Sequence, residues 1–171
     1  LIMPEQLTGF PAISKSNARV LILGSMPGKR SLELQQYYGH PRNLFWPFMS
    51  ELLEFANDLH YGQRTQKLLE HRIALWDVLQ NCHRQSSLDS DIKTDSMVPN
   101  DFQAFFKEHT GLRAIVFNGR KSEEIFNRQV KNTLELNLNL DYLPMPSTSP
   151  ANASISRKEK LRRWAILLDY L

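Results

Sequence analysis

The chain has 171 residues, enough for one domain with a sizeable core, and its 42% hydrophobic and 23% charged content is ordinary for a globular protein. No apolar run nears the roughly 20 residues needed to cross a bilayer, and no signal segment is expected ahead of the first strand. Cys82 is the single cysteine, which excludes an internal disulfide and a multi-cysteine zinc or iron–sulfur centre, so a reducing cytoplasm is the expected setting.

The net charge of +3, from 21 basic and 18 acidic residues, points only weakly to nucleic acid. Its distribution says more. Lys29, Arg30, Arg42, Arg120, Lys121 and the run from Arg157 to Arg163 flank loops rich in glycine, proline and serine. Acidic residues gather elsewhere, as at Glu51, Glu54, Asp58, Asp89, Asp91 and Asp95.

In chain order, the first short apolar run, Val20–Leu23, reads as a buried strand. The loop Gly24-Ser25-Met26-Pro27-Gly28 follows. It is not a Walker A loop: three residues rather than four separate its glycines, and Arg30 stands where a magnesium-binding hydroxyl belongs. Leu44, Phe45, Phe48, Met49, Leu52, Leu53 and Phe55 recur at three- and four-residue spacing, which predicts a helix with Pro47 in its first turn. Ile73–Leu79 reads as a second strand, and the polar stretch Arg84–Asn100 as a long surface loop. Asn100 is the expected cap of a helix carrying Phe102, Phe105 and Phe106.

Ala114–Phe117 reads as the third strand, followed by Asn118-Gly119-Arg120-Lys121 and a helix over Ser122–Val130. Tyr142–Met145 is the fourth, followed by Pro146-Ser147-Thr148-Ser149-Pro150-Ala151-Asn152. A last helix opens on the capping box Ser156/Glu159 and carries Leu161, Trp164, Ala165, Leu168 and Leu171 on one face. Strands separated by helix-length connections predict an α/β chain: one three-layer α/β/α domain around a central, mostly parallel four-stranded sheet. Ligands sit at the carboxyl ends of such strands, so the three unusual loops are candidates for one site.

The string Gln36-Tyr37-Tyr38-Gly39-His40-Pro41-Arg42-Asn43-Leu44-Phe45-Trp46 sets two tyrosines, a histidine, an arginine and an asparagine ahead of an amphipathic helix. Taken alone, Asn43 can simply cap that helix and the tyrosines can be core. In combination, G-S-M-P-G, Y-Y-G-H-P-R-N-x-F-W, F-N-G-x-K and P-S-T-S-P-A-N resemble the uracil-DNA glycosylase superfamily, and within it the hypoxanthine-DNA (deoxyinosine) glycosylases. The resemblance runs from about Val20 to Asn152.

That resemblance implies a monofunctional base-excision repair enzyme that hydrolyses the N-glycosidic bond of a flipped, deaminated base, without metal or cofactor. Mismatch-specific relatives keep a water-activating asparagine in the first loop, where this chain has Met26, and a thioether cannot orient a water nucleophile. The resemblance therefore assigns the water to Asn43, with His40 as a second catalytic candidate. It makes Tyr38 the platform that stacks on the flipped base, a contact contributing roughly 1–3 kcal/mol. Gly24, Ser25 and Met26 are expected against the base. Asn118 can present a donor and an acceptor to the base edge, yet cannot by itself separate hypoxanthine from uracil.

Ser25, Ser31, Ser147, Thr148 and Ser149 are expected to hold DNA phosphates, supported by Lys121 and Arg157, although each hydroxyl can equally serve a local turn. The expected partner is damaged double- or single-stranded DNA, met by a monomer. Two other readings stand beside this one: a uracil or G·U/G·T mismatch glycosylase, and a non-catalytic nucleic-acid-binding module.

Overall fold

The computed structural model describes residues 5–135 and 138–171. Its centre is a four-stranded parallel sheet of β2 (Val20–Gly24), β3 (Ile73–Asp77), β6 (Ala114–Asn118) and β7 (Asp141–Met145), in the order β3-β2-β6-β7. All four predicted strands are there. The continuous apolar runs of β2, β3 and β6 reflect burial on both faces, as a parallel sheet covered by helices requires, while the edge strand β7 is only partly covered.

Side-chain alternation divides the core in two. Leu21, Leu23, Ile115 and Phe117 face a layer built from α4 (Phe102–Glu108) and α5 (Arg120–Gln129), represented by Phe102, Phe106, Ile125 and Phe126. Val20, Ile22, Leu75 and Val116 face the other way, onto α2 (Phe45–Leu53), α3 (Tyr61–Glu70) and α6 (Arg157–Trp164). Phe45, Phe48 and Trp164 are fully buried in that second layer, and truncating any one to alanine would cost about 3–5 kcal/mol. The α/β/α architecture expected from the spacing is the one observed. Among the described residues no helix is long and apolar enough to cross a membrane.

Three expectations need correction. The predicted strand Ile73–Leu79 is two strands, because the backbone leaves the parallel sheet after Asp77. The amide of Val78 donates to the Gly24 carbonyl (2.8 Å), and that of Leu79 to the Ser25 carbonyl (3.1 Å). The chain continues as β4 (Leu79–His83), the middle of a small antiparallel sheet between β1 (Gln6–Thr8) and β5 (Val98–Pro99). Side-chain patterning does not register such a break, since Val78 and Leu79 are as buried as the strand before them.

The helix over Phe102–Glu108 is capped by Asp101, whose Oδ1 accepts from the Ala104 amide at 3.0 Å; Asn100 instead donates to the Asp77 carbonyl at 2.8 Å. The last helix tightens after Trp164 into a 3-10 turn over Ala165–Tyr170. With three residues per turn, Leu167 rather than Leu168 follows Trp164 into the core, and Leu168 is exposed.

Candidate active site

The three loops at the carboxyl ends of β2, β6 and β7 meet around one cavity of about 1010 Å³. Gly24, Ser25, Met26, Ser31, Tyr38, His40, Asn43, Asn118, Lys121, Ser147, Thr148 and Ser149 all line it. Arg157 does not. Its guanidinium lies over the Phe48 ring and pairs with Glu51 at 3.6 Å, while Arg163 of the same helix reaches the cavity.

The walls are tied together by specific bonds. Gly119 has a φ of +94°, and a Cβ there would come within 3.1 Å of the Ser147 Cβ, so only glycine lets the β6 and β7 loops approach. Asn118 and Thr148 bond twice across that approach, through the Asn118 amide to Thr148 Oγ1 (2.9 Å) and the Thr148 amide to Asn118 Oδ1 (3.0 Å). The Thr148 carbonyl accepts from the Leu44 amide (3.0 Å), which joins the β7 loop to the start of α2. From behind, Trp164 Nε1 donates to the Pro146 carbonyl (2.9 Å), and the buried Lys160 ammonium to that of Asn152.

These bonds change what several expected residues offer. Thr148 is fully buried, so it anchors the loop and does not present a hydroxyl to a phosphate. Asn118 has one amide hydrogen and one lone pair beyond its two hydrogen bonds with Thr148. Ser147 and Ser149 accept from the amides of Ser149 (3.1 Å) and Ala151 (3.2 Å), as turn serines do, and retain their own O–H for a ligand. Ser31, in the short helix α1 (Lys29–Leu34), accepts from the Gly39 amide at 3.0 Å, and Ser25 donates to Asp89 Oδ1 at 2.6 Å. Met26 is buried among the core side chains under the first loop.

Asn43 stands one residue before Leu44 and α2, and its Oδ1 accepts from the Phe45 amide at 2.9 Å. It is thus a local cap, and its amide hydrogens and second lone pair are left for the cavity it lines. The Arg42 amide donates to His40 Nδ1 at 3.1 Å, so a neutral His40 carries its proton on Nε2.

Tyr38 adopts a φ of +55°, strain of about 1–3 kcal/mol that recurs at functional positions. Its ring packs against Phe45 with centroids 4.3 Å apart. Its hydroxyl points inward to Gly24, where a Cβ would lie 2.9 Å away. That hydroxyl is buried and finds no partner of good hydrogen-bond geometry among the described residues, although Asn118 is its polar neighbour; burial raises its pKa.

Two contributors escaped the sequence reading. Asp77, the last residue of β3, is in register with Gly24, and its Oδ1 lies 2.5 Å from where a Gly24 Cβ would be. It is buried, and its Oδ2 has no hydrogen-bond partner among the described residues. Burial pushes this carboxyl up to about 7, helped by the negative Asp89 and opposed by Arg84.

The stretch predicted as a surface loop is the second contributor. It folds back so that Ser87, Leu88, Asp89 and Ser90 line the cavity. Ser87 Oγ accepts from the Lys29 amide (2.9 Å), and the buried Arg84 donates to the Pro27 carbonyl (2.7 Å). A polar composition announces solvent, not a second partner, and only the break after Asp77 turns this segment toward the first loop.

Lys29, Arg30, Arg120 and Lys121 stand around the opening, and Lys29, Arg120 and Lys121 form no salt bridge among the described residues. The site is therefore a half-open cavity of mixed polar and apolar lining, wide enough for a nucleobase, with cations at its mouth.

The chain belongs to the uracil DNA glycosylase superfamily, whose family model matches residues 10–169. It is 36% identical over 153 residues to a hypoxanthine DNA glycosylase of Methanosarcina acetivorans, spanning 89% of this chain and 92% of that protein. A hypoxanthine DNA glycosylase of Methanosarcina barkeri is 37% identical over 117 residues, 68% of this chain and 73% of that protein. Among solved structures, the solution NMR structure of a Methanosarcina acetivorans protein assigned provisionally to the uracil DNA glycosylases superposes with a TM-score of 0.79. It is 33% identical, and the match covers 95% of this chain and 96% of that one.

Proposed function

We propose that this protein is a monofunctional DNA glycosylase that removes hypoxanthine from DNA. One observation carries the reading: Asn43, His40 and Tyr38 line the same cavity as the three strand-end loops, within a chain related over most of its length to hypoxanthine DNA glycosylases. A base inside a duplex cannot reach such a cavity, so the nucleotide must be flipped, which costs least for a damaged or mispaired base. Ser147 and Ser149, whose O–H groups remain available, are the phosphate contacts, with Lys121 and the neighbouring cations as electrostatic support; Ser25 and Ser31 are buried, and Ser25 gives its proton to Asp89.

In the reaction, the C1′–N9 bond breaks and its electron pair leaves with the base, while a water adds its oxygen to C1′ and the proton it releases ends on the departing base. Asn43 holds that water through the lone pair and amide hydrogens not used in capping α2. Nε2–H of His40 is a donor for the leaving base or a flanking phosphate. Dipoles preorganised in this way contribute about 2.7–4 kcal/mol each in well-studied enzymes. The reading has a single-domain monomer acting on single- or double-stranded DNA in a reducing cytoplasm, where the buried Cys82 thiol stays free.

The test is incubation with oligonucleotides carrying one hypoxanthine, uracil, xanthine or mismatched thymine, followed by alkaline cleavage of abasic sites. Cleavage at hypoxanthine above all others is expected. Preference for uracil would move the enzyme to the uracil or mismatch class, and no cleavage at any lesion would leave a binding module.

A further inference from the structure

The amino ends of the sheet strands, opposite the cavity, carry a feature that the glycosylase reaction does not use. Arg72, Arg19 and Arg113 are the residues immediately before β3, β2 and β6, three neighbours in the sheet. We infer that this row of arginines is a second DNA-binding face, which takes the phosphate backbone of a lesion-free segment while the cavity holds another. The inference goes beyond the proposed function and rests on it only for the choice of DNA as the polyanion.

The backbone fixes the row. The Arg19 amide donates to the Arg72 carbonyl at 2.8 Å, and the Arg113 amide to the Arg19 carbonyl at 2.7 Å. The three residues therefore stand at one level of neighbouring strands, each about 4.8 Å from the next. Arg72 and Arg113 are exposed, and Arg19 is half-buried between them. Partial burial, then the charges of Arg113 and Arg72, hold the Arg19 guanidinium below its ordinary range.

No acid offsets these cations. None of the three forms an ion pair among the described residues. Asp141, whose amide donates to the Arg113 carbonyl at 3.0 Å, accepts through its carboxylate from the Tyr170 hydroxyl at 2.6 Å instead. Like charges on neighbouring strands repel, a standing cost that a bound anion would relieve. Arg72 adds a second cost. Its φ is +61° just past α3, at the left-handed position where helices usually end on glycine. A cation there suits the negative end of the helix, but that accounts for neither Arg19 nor Arg113.

The chemistry fits phosphate. Each guanidinium is a planar fork of donors that matches two oxygens of a phosphate group. The apolar neighbours Ala18, Val20, Ile73, Leu112 and Ala114 are all buried, so the chain places no apolar anchor directly beside the charges. Protein interfaces are built around such anchors, whereas a phosphate backbone is held by charge and hydrogen bonds. The strand from Arg19 to Gly24 is about 16 Å long, so a duplex seated over the cavity leaves the row uncovered.

The test preloads the chain with a non-hydrolysable 2′-fluoro-deoxyinosine duplex and titrates in a fluorescent lesion-free duplex at several salt concentrations. A ternary complex is expected, its log affinity falling against log salt with a slope of about 2.7, or about 0.9 for each of three contacts. Arg19→Gln, Arg72→Gly and Arg113→Gln combined should weaken that complex more than about tenfold, yet leave release of hypoxanthine from a short oligonucleotide at the native rate. Glycine at position 72 keeps the left-handed turn, and if the triple variant does not fold, Arg113→Gln alone should lower the slope by about 0.9. No ternary complex in the native chain, or one that the substitutions leave intact, overturns the inference. So does a native chain that binds a poly-glutamate peptide through these arginines and not the lesion-free duplex, which would make the row a site for an acidic protein. A chain that neither holds nor cleaves the inosine duplex overturns the glycosylase reading instead, and direct titration with the lesion-free duplex then tests the row by itself.

Discussion

Asn118 and Thr148 hold each other by two hydrogen bonds, of 2.9 Å and 3.0 Å, and so join the ends of β6 and β7 across the floor of the cavity. Replacing Asn118 by Ala leaves the buried Thr148 amide without its acceptor, at a cost of about 1–3 kcal/mol. In a chain of this size, the melting temperature should drop by roughly 2–4 °C per kcal/mol. Scanning calorimetry checks this, and an unchanged transition would show that the loop has another anchor.

Asn43 should matter more to the reaction than to the fold. Asn43→Ala removes a cap interaction of about 1 kcal/mol and the group proposed to hold the water, so release should be abolished within assay limits while lesion DNA still binds. Asn43→Asp keeps the oxygen that accepts from the Phe45 amide, and so should melt close to the native chain while losing activity. Single-turnover release beside a binding isotherm separates the two effects. Native release by Asn43→Ala would sink the catalytic assignment.

The raised Asp77 carboxyl has a thermodynamic signature independent of DNA. A folded value near 7 lies above the ordinary value of 3.8, so the folded chain holds the proton more tightly than the unfolded chain. Its contribution is fully favourable below about pH 4, declines as pH rises toward about 7, and is lost above that. The difference is on the order of 4 kcal/mol. Asp77→Asn should therefore melt higher than the native chain at pH 8, with the advantage vanishing near pH 4. Parallel melting curves across that range would place the carboxyl at an ordinary value.

Lys121 lines the cavity mouth without a salt-bridge partner among the described residues. If it contacts a phosphate, Lys121→Ala weakens DNA binding irrespective of sequence. It also lowers the slope of log affinity against log salt by about 0.9 for duplex DNA. Fluorescence anisotropy at several salt concentrations measures that slope, and an unaltered slope removes Lys121 from the interface.

Much of this protein is legible in its sequence because the relevant physics is local. Strands buried on both faces must be apolar throughout, so Val20–Leu23 and Ala114–Phe117 announce a parallel sheet, and their turns locate the cavity at its carboxyl edge. Gly24, Gly119 and the string from Tyr37 to Trp46 stand out because a tight turn, a close approach and a polar-aromatic loop each demand particular residue types. What only the tertiary structure decided is which polar atoms are free. Half of the Asn118 amide's hydrogen-bonding capacity is taken up by Thr148, a residue 30 positions away and itself buried. Asp77 looks like a lone acid inside an apolar strand until the end of β3, in register with Gly24 and near Tyr38 and Asp89, makes it a buried acid at the cavity. Hydrogen-bond satisfaction and desolvation depend on neighbours distant in the chain, and those neighbours exist only once the fold has brought them together.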